Sequence, residues 1–486
     1  MDRKMRQVQN LLLLMVFVAC EFFASGQTLQ TLYSFSGTDG ANPYAALTVG
    51  PDGNLYGTTS KGGTNNYGTI FQFTTNGTLN TLFSFSGTNG ANPEAQLTLG
   101  NDGNLYGTAY AGGITNSSFT NGSGTVFQIT TNAVFTTLVF LDGVNNAYPN
   151  GLTLGTDGNF YGTTAAGTSF WGSSGYAFRV STNGLFSNLV YFGTGEYGLS
   201  SLYYPSTLTL GSNGNFYGTA NGPNVLGISY GWAFMMTTNG TVTKLAPFIS
   251  PNDNNGTLDG LSPSAALTKG NDGNFYGTTE ESGSSGSVFQ LTTNGVLTQL
   301  LYFNGTNGSN PMGTLTQGND GNFYGTTFAG GNINLGTVFM TTTNGMLTTL
   351  LSFNFTNGAN PLAGLTMGTD GYFYGTTSLG GNSNSGTVFR LLLPPFITVQ
   401  PQNTTNIAGG SVTYFVNVTS LQPVLGYIWQ KNGTNLNDGA NISGTTTNRL
   451  NITGISDNDM ASYSVVVSNI SGSVTSSDVT SLFQAS

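Results

Sequence analysis

The chain of 486 residues carries 10 Lys+Arg and 20 Asp+Glu, so charged side chains make up 6% of it, far below the roughly 25% of an ordinary soluble protein. It has no histidine, 72 glycines, 38% hydrophobic and 12% aromatic residues, which supplies a packed core and removes Ser-His-Asp, Cys-His and histidine-metal chemistry. A net charge of −10 with no Lys/Arg cluster beyond the first residues leaves nothing to neutralise a run of phosphates, so no nucleic-acid partner is expected.

Residues 1–26 begin with Arg3, Lys4 and Arg6, continue through an apolar run over 11–23 and end in Ala24, Ser25 and Gly26. This order is that of a secretory signal peptide, and the run is shorter than the ~20 apolar residues a membrane span needs. Export, to the medium or the outer cell surface, is therefore expected, with no membrane span in the mature chain. Cys20 is the only cysteine; the mature chain cannot form a disulfide, and Phe17-Val18-Ala19-Cys20 departs from a lipidation motif in having Phe where Leu is usual.

From residue 27 to 393 one unit recurs. Asp-Gly-Asn-aromatic/Leu-Tyr-Gly-Thr places its tyrosine at Tyr56, Tyr106, Tyr161, Tyr217, Tyr276, Tyr324 and Tyr374. A Gly-x-x-Phe ending at Phe71, Phe127, Phe178, Phe234, Phe289, Phe339 and Phe389 keeps the same register, as does a proline at 43, 93, 149, 205, 263, 311 and 361. Each unit reads as four short strands, in the first copy 46–49, 55–59, 69–74 and 79–85, with Asp52-Gly53-Asn54 and Asn76-Gly77 as tight turns. Bulky residues on both faces of the later strands suit sheets packed against neighbouring sheets. Four-stranded units of about 50 residues describe a β-propeller. Residues 29–35 read as a fourth strand without its unit, and the last unit stops after its third strand at 387–391. This predicts an all-β chain with one seven-bladed propeller, its ring closed by the N-terminal strand.

Gly-Ala-Asn-Pro, Leu-Thr-x-Gly-x-Asp-Gly-Asn-Phe-Tyr-Gly-Thr-Thr, Gly-Gly and Gly-Thr-Val-Phe resemble the bacterial GloVer (Gloeo-Verruco) tandem repeat. The resemblance covers about residues 29–393 and implies a bacterial envelope or secreted protein, with no reaction attached. The chain departs from the commonest layout of that family in ending at Ser486 without a hydrophobic, basic-tipped tail.

Pro394-Pro395 marks a break, and residues 394–486 have another texture. Gly410-Ser411-Val412-Thr413-Tyr414, Trp429, Leu450-Asn451-Ile452 and Asp459-Met460-Ala461-Ser462-Tyr463 resemble an immunoglobulin-like I-set sandwich. That resemblance makes Trp429 the core tryptophan, Tyr463 the tyrosine-corner residue, and puts Val416 and Val465 where the usual domain has its two cysteines.

Each Asp-Gly-Asn turn offers one carboxylate, and the fourth reads Asn213-Gly214-Asn215, so hairpin chemistry accounts for these turns and no metal or cofactor is expected. The repeated tyrosines read as packing between blades. Binding is expected where the copies differ, in the loop between second and third strands and around each proline, which emerge on one propeller face. Phe119, Phe170, Trp171, Tyr230 and Trp232 stand out there amid Ser, Asn, Gly and Thr, a composition suited to carbohydrate; Trp232 replaces the Thr of Gly-Thr-Val-Phe and also reads as packed. Glu280 and Glu281 are the only adjacent acids, with Glu196 and Asp259 in neighbouring loops. No motif joins them. The expected function is a secreted or surface binding and adhesion protein for a polysaccharide or a surface protein, without catalytic residues. A glycan hydrolase or lyase using loop carboxylates and a structural envelope protein are the alternatives.

Overall fold

The computed structural model describes residues 29–115, 120–143, 146–166, 175–193, 203–221, 231–248, 262–280 and 285–483. The described chain is all-β apart from a single 3-10 turn at Asp457–Asp459, and among the described residues no helix is long and apolar enough to cross a membrane. Contacts divide it into two compact units, one of residues 31–390 and one of residues 391–483 with 29–30.

The first unit is built from small antiparallel sheets. In the first, strands Thr48–Val49, Leu55–Thr59, Thr69–Phe73 and Leu79–Ser84 lie side by side in chain order. The same order recurs through the unit, with a fifth strand, Tyr203–Pro205, added to the fourth sheet. In the third sheet the first strand is lengthened to Ala147–Leu154. The last sheet takes its fourth strand from the start of the chain: Leu29–Ser34 pairs with Thr387–Leu391, and Phe35 N–H continues the pairing to Gly386 O at 3.0 Å.

The Tyr-Gly-Thr strands are buried along their whole length, which explains why both of their faces are apolar or small. Gly57 sits opposite Phe71, and a Cβ there would lie 2.5 Å from the tip of the Phe71 ring and 2.7 Å from Leu47; the glycine makes room for the aromatic ring of the next strand. Successive sheets meet through tyrosine: Tyr106 packs on Phe160 at 4.1 Å between centroids, Tyr161 on Phe216 at 4.3 Å, Tyr217 on Phe275 at 4.2 Å, Tyr276 on Phe323 at 4.1 Å and Tyr324 on Phe373 at 4.5 Å. Tyr56 shares a core with Leu105, and Tyr374 with Leu55 of the first sheet.

A second series runs along the first strands of the sheets. Thr48 Oγ1 donates to Leu97 O, Thr98 to Leu152 O, Thr153 to Leu208 O, Thr209 to Leu267 O, Thr268 to Leu315 O, Thr316 to Leu365 O and Thr366 to Leu47 O, all at 2.5–2.7 Å. The seventh bond returns to the residue before the first donor.

Each Asp-Gly-Asn turn is locked by its own side chains. Asp52 accepts from Asn54 N–H at 3.1 Å, Asn54 Nδ2 at 2.8 Å and Tyr56 Oη at 2.8 Å, while Gln72 Nε2 donates to Tyr56 Oη at 2.9 Å. These carboxylate oxygens are occupied by the turn itself, which is the hairpin role. Burial pushes the carboxyls of Asp52, Asp102, Asp157 and Asp272 up, but hydrogen bonds from the neighbouring Asn and Tyr outweigh it and hold them below the usual range. Burial, then the hydrogen bond to the carboxylate, pushes Tyr56, Tyr161 and Tyr276 up to about 12. A phenol whose folded value lies above its unfolded value of about 10 contributes stability below pH ~10 that is lost as pH climbs toward the folded value. The first unit is therefore expected to unfold cooperatively between about pH 10 and 12, with tyrosinate absorbance and loss of β-sheet circular dichroism rising together; tyrosines that ionise near pH 10 in an intact fold contradict it.

The second unit holds its own core. Strands Thr404–Asn406, Val479–Phe483, Ser462–Asn469, Gly426–Lys431 and Thr434–Asn435 form one sheet, with Gly472–Thr475 paired to Ser462–Asn469, and Ser411–Phe415, Arg449–Thr453 and Ile442–Ser443 form another. Phe396–Val399 pairs with Asn417–Thr419. Trp429, Tyr414, Tyr463, Val416 and Val465 are buried in one cluster. Trp429 Nε1 donates to Thr447 O at 2.9 Å, and Tyr463 Oη to Asp459 O at 3.1 Å, four residues upstream, so both polar handles are satisfied inside the core.

Candidate functional site

The residue before each repeat proline has a left-handed backbone: Asn42 φ 52°, Asn92 52°, Asn310 54°, Asn360 51°, Ser262 59°, Tyr148 58° and Tyr204 46°. Asparagine tolerates that region; a bulky side chain there is strained. Where the residue is Asn, its Nδ2 donates to a carbonyl of the preceding sheet: Asn42 to Ser378 O at 2.9 Å, Asn92 to Ser60 O at 2.9 Å and Asn360 to Phe328 O at 3.0 Å. Tyr148 replaces that bond with a ring stacked on Tyr110, centroids 4.7 Å apart and planes 15° from parallel. Tyr110 itself stands at the position of Ser60, Phe328 and Ser378, just past the Tyr-Gly-Thr strand.

The stacked pair lines a cleft of about 910 Å³, together with Tyr67, Lys61, Glu94 and a neutral set that includes Asn66, Asn92, Asn121, Thr88 and Thr120. Tyr67 is 43% exposed. Glu94 and Tyr110 also border a smaller cavity of about 340 Å³, shared with Tyr44, Asn150, Ser264 and Glu280. Ser264 Oγ donates to the Glu280 carboxylate. The residues that follow the prolines line a further space of about 570 Å³ to which every one of the repeats contributes. Burial pushes the Glu94 carboxyl up, opposed by the Lys61 ammonium. Tyr44 is raised by burial and then by the charges of Glu94 and Glu280, and Tyr110 by burial and then by Glu94 and the neighbouring tyrosines. Aromatic rings, amides, hydroxyls and a carboxyl held toward its neutral form make a surface for hydroxyl-rich, weakly charged ligands.

Of the residues expected from sequence, Phe119, Phe170, Trp171 and Tyr230 lie outside the described residues, as do Glu281, Glu196, Asp259 and residues 1–26, where a leader is expected. Trp232 sits in the strand Gly231–Met236 opposite Ala220 and Pro247, half-buried against the core of the fourth sheet, with Lys244 Nζ 5.1 Å from its ring centre. It packs within its sheet and does not line the cleft. Glu280 is at the small cavity, where its acidic neighbour across the space is Glu94. Tyr110, Tyr148 and Glu94 were not singled out by composition of the loops. The available signal was positional: Tyr148-Pro149 and Tyr204-Pro205 stand where four copies read Asn-Pro, and Glu94 where the other copies have Tyr44, Asn150, Ser206, Ser264, Met312 and Leu362.

The model of the Gloeobacter/Verrucomicrobia repeat matches residues 19–227 and 204–449. The chain belongs to this repeat family. No curated protein matches the chain. Among solved structures, a Gloeobacter/Verrucomicrobia repeat chain such as this one finds titin M4, 23% identical over 19% of this chain and 96% of that one, with a TM-score of 0.18. The Ig1-2 module of Drosophila receptor protein tyrosine phosphatase DLAR is 23% identical over 19% and 50%, with a TM-score of 0.17. The twitchin kinase region of C. elegans is 21% identical over 19% and 16%, again at 0.17. At these TM-scores nothing about the fold or role of the repeat protein rests on them.

Proposed function

We propose that this repeat protein is exported through its leader, residues 1–26, and binds polysaccharide at the cell surface or beyond it, through the tyrosine-lined cleft of a closed seven-bladed β-propeller. An immunoglobulin-like sandwich, residues 394–486, follows as a spacer or contact module. The threonine series that returns to Leu47 after seven bonds and the pairing of Leu29–Ser34 with Thr387–Leu391 support the ring. The buried Trp429, the Val416 and Val465 contact and the Tyr463 hydrogen bond to Asp459 O support the sandwich.

Tyr148 carries the binding reading. A tyrosine is kept in a left-handed conformation, at a position that asparagine fills in four copies, serine in one and Tyr204 in another, and unfavourable backbone geometry of about 1–3 kcal/mol persists where the side chain it holds is used. The stacked pair offers the flat aromatic surface on which sugar C–H faces pack, and the surrounding amides and hydroxyls match sugar hydroxyls.

Tyr148→Asn is the direct test, because it restores the residue that four other copies carry. On a glycan and polysaccharide array the variant is expected to lose roughly tenfold or more in affinity, while its melting temperature stays within a few degrees, the lost stack of about 0.5–1.5 kcal/mol being offset by relieved backbone strain. Binding that survives the substitution removes the cleft as the site. No array hit for the parent protein, with capture of a surface protein instead, replaces polysaccharide by a protein partner. Release of sugar products that is lost with Glu280→Gln moves the protein to the glycan-cleaving class.

A further inference from the structure

The smaller cavity shares two lining residues, Glu94 and Tyr110, with the cleft. Its wall carries two carboxylates, Glu94 and Glu280, and no cationic side chain among its described lining residues; Lys61 belongs to the cleft side. Tyr44 lies close enough to feel both carboxylates, so the two acids flank one space. Asn150 and Ser264 complete a polar rim, and Met312 and Leu362 supply an apolar floor. In the first copy the repeat pattern also lapses: Thr58, 1% exposed, has no hydrogen-bond partner for its hydroxyl. The equivalent Thr108 and Thr326 donate to Asn150 O at 2.9 Å and Ala363 O at 2.7 Å, carbonyls of the following sheet.

Resting on the cleft as a carbohydrate site, we infer that this cavity is a subsite for an uncharged sugar unit of the same chain, with Glu94 donating a hydrogen bond to a sugar oxygen and Glu280 accepting one from a sugar hydroxyl. An anionic unit is disfavoured, because the described lining offers it two carboxyl groups and no cationic side chain. Burial pushes the Glu94 carboxyl up, opposed by the Lys61 ammonium, so its surroundings favour the protonated form. Its neutral form donates; its ionised form can only accept and has to be desolvated when the sugar enters. Binding is thus strongest at low pH and weakens as pH rises through the Glu94 value. The charged and titratable groups around it are Lys61, Tyr67 and Tyr148 on the cleft, Tyr44, Tyr110 and Glu280 on the cavity, and Tyr204 by way of Tyr110; Tyr44 and Tyr110 are both raised by burial and stay neutral over that range.

The experiment is calorimetric titration of the full exported chain with short neutral gluco-, manno- and xylo-oligosaccharides and with oligogalacturonates, across the acidic to neutral range. The neutral ligand that binds best is expected to bind at least ~10-fold tighter than any uronate, about one charged hydrogen bond's worth. Glu94→Leu is expected to lose roughly tenfold, and Glu94→Gln, which donates at every pH, to flatten the pH profile. Uronates that bind as well as neutral sugars, or a Glu94→Gln profile as steep as the parent's, overturn the subsite. If Tyr148→Asn removes binding while both Glu94 variants match the parent, the cleft stands and the subsite falls; if neither Tyr148 nor Glu94 matters, both fall.

Discussion

A chain lacking residues 29–35 is expected to lose the cooperative unfolding transition of the repeat unit and to aggregate. Leu29–Ser34 is the fourth strand of the last sheet, and without it Thr387–Leu391 becomes an open edge in a chain with few charges to guard it. Phe35 is fully buried, packed edge-on to Phe71 at 5.3 Å between ring centres and grouped with Leu47, Leu55 and Val388. The segment therefore ties the two ends of the repeat array through both backbone pairing and core. Phe35→Ala isolates the second part and should cost about 3–5 kcal/mol, a fall in melting temperature on the order of 10 °C. Thermal unfolding with size-exclusion chromatography checks both variants, and a deletion variant that stays monomeric and melts with the parent contradicts the closing role.

Trp429→Ala should unfold the second unit. That unit's core draws only on residues between Ile397 and Val479, so residues 394–486 expressed separately are expected to fold with one urea transition. The chain has no cysteine beyond Cys20, and packing around Trp429 takes the place of a cross-link. Removing a fully buried tryptophan costs about 3–5 kcal/mol and strands Thr447 O, against a total of about 5–15 kcal/mol for a small domain. A transition midpoint unchanged by the substitution, or a disordered spectrum for the parent fragment, removes this account.

Strand positions and turns of the repeat unit are legible in the sequence because each is written several times over. An Asp-Gly-Asn turn fixed by Asn54 and Tyr56 on Asp52 needs those residue types at that spacing, and Gly57 is required by the Phe71 ring. The cleft is not written that way. It arises at positions where the copies differ, with Tyr148 where four copies have Asn, Tyr110 where others have Ser or Phe, and Glu94 where others have Tyr, Asn, Ser, Met or Leu, and these become one surface only when neighbouring sheets bring them together. Composition of the variable loops directed attention to Phe119, Phe170 and Trp171, outside the described residues, and to Trp232, which the fourth sheet uses for packing.

The threonine series has a consequence for how such a chain can change over time. An open array of repeats gains or loses a copy with little penalty, because each unit contacts only its neighbours. Here the bond from Thr366 to Leu47 joins the last copy to the first, and the opening strand Leu29–Ser34 is spent on the final sheet. One added or missing unit breaks both junctions at once. A change in copy number is therefore expected to cost more here than in an open array, and substitution within units, as at Tyr110, Tyr148 and Glu94, to cost less.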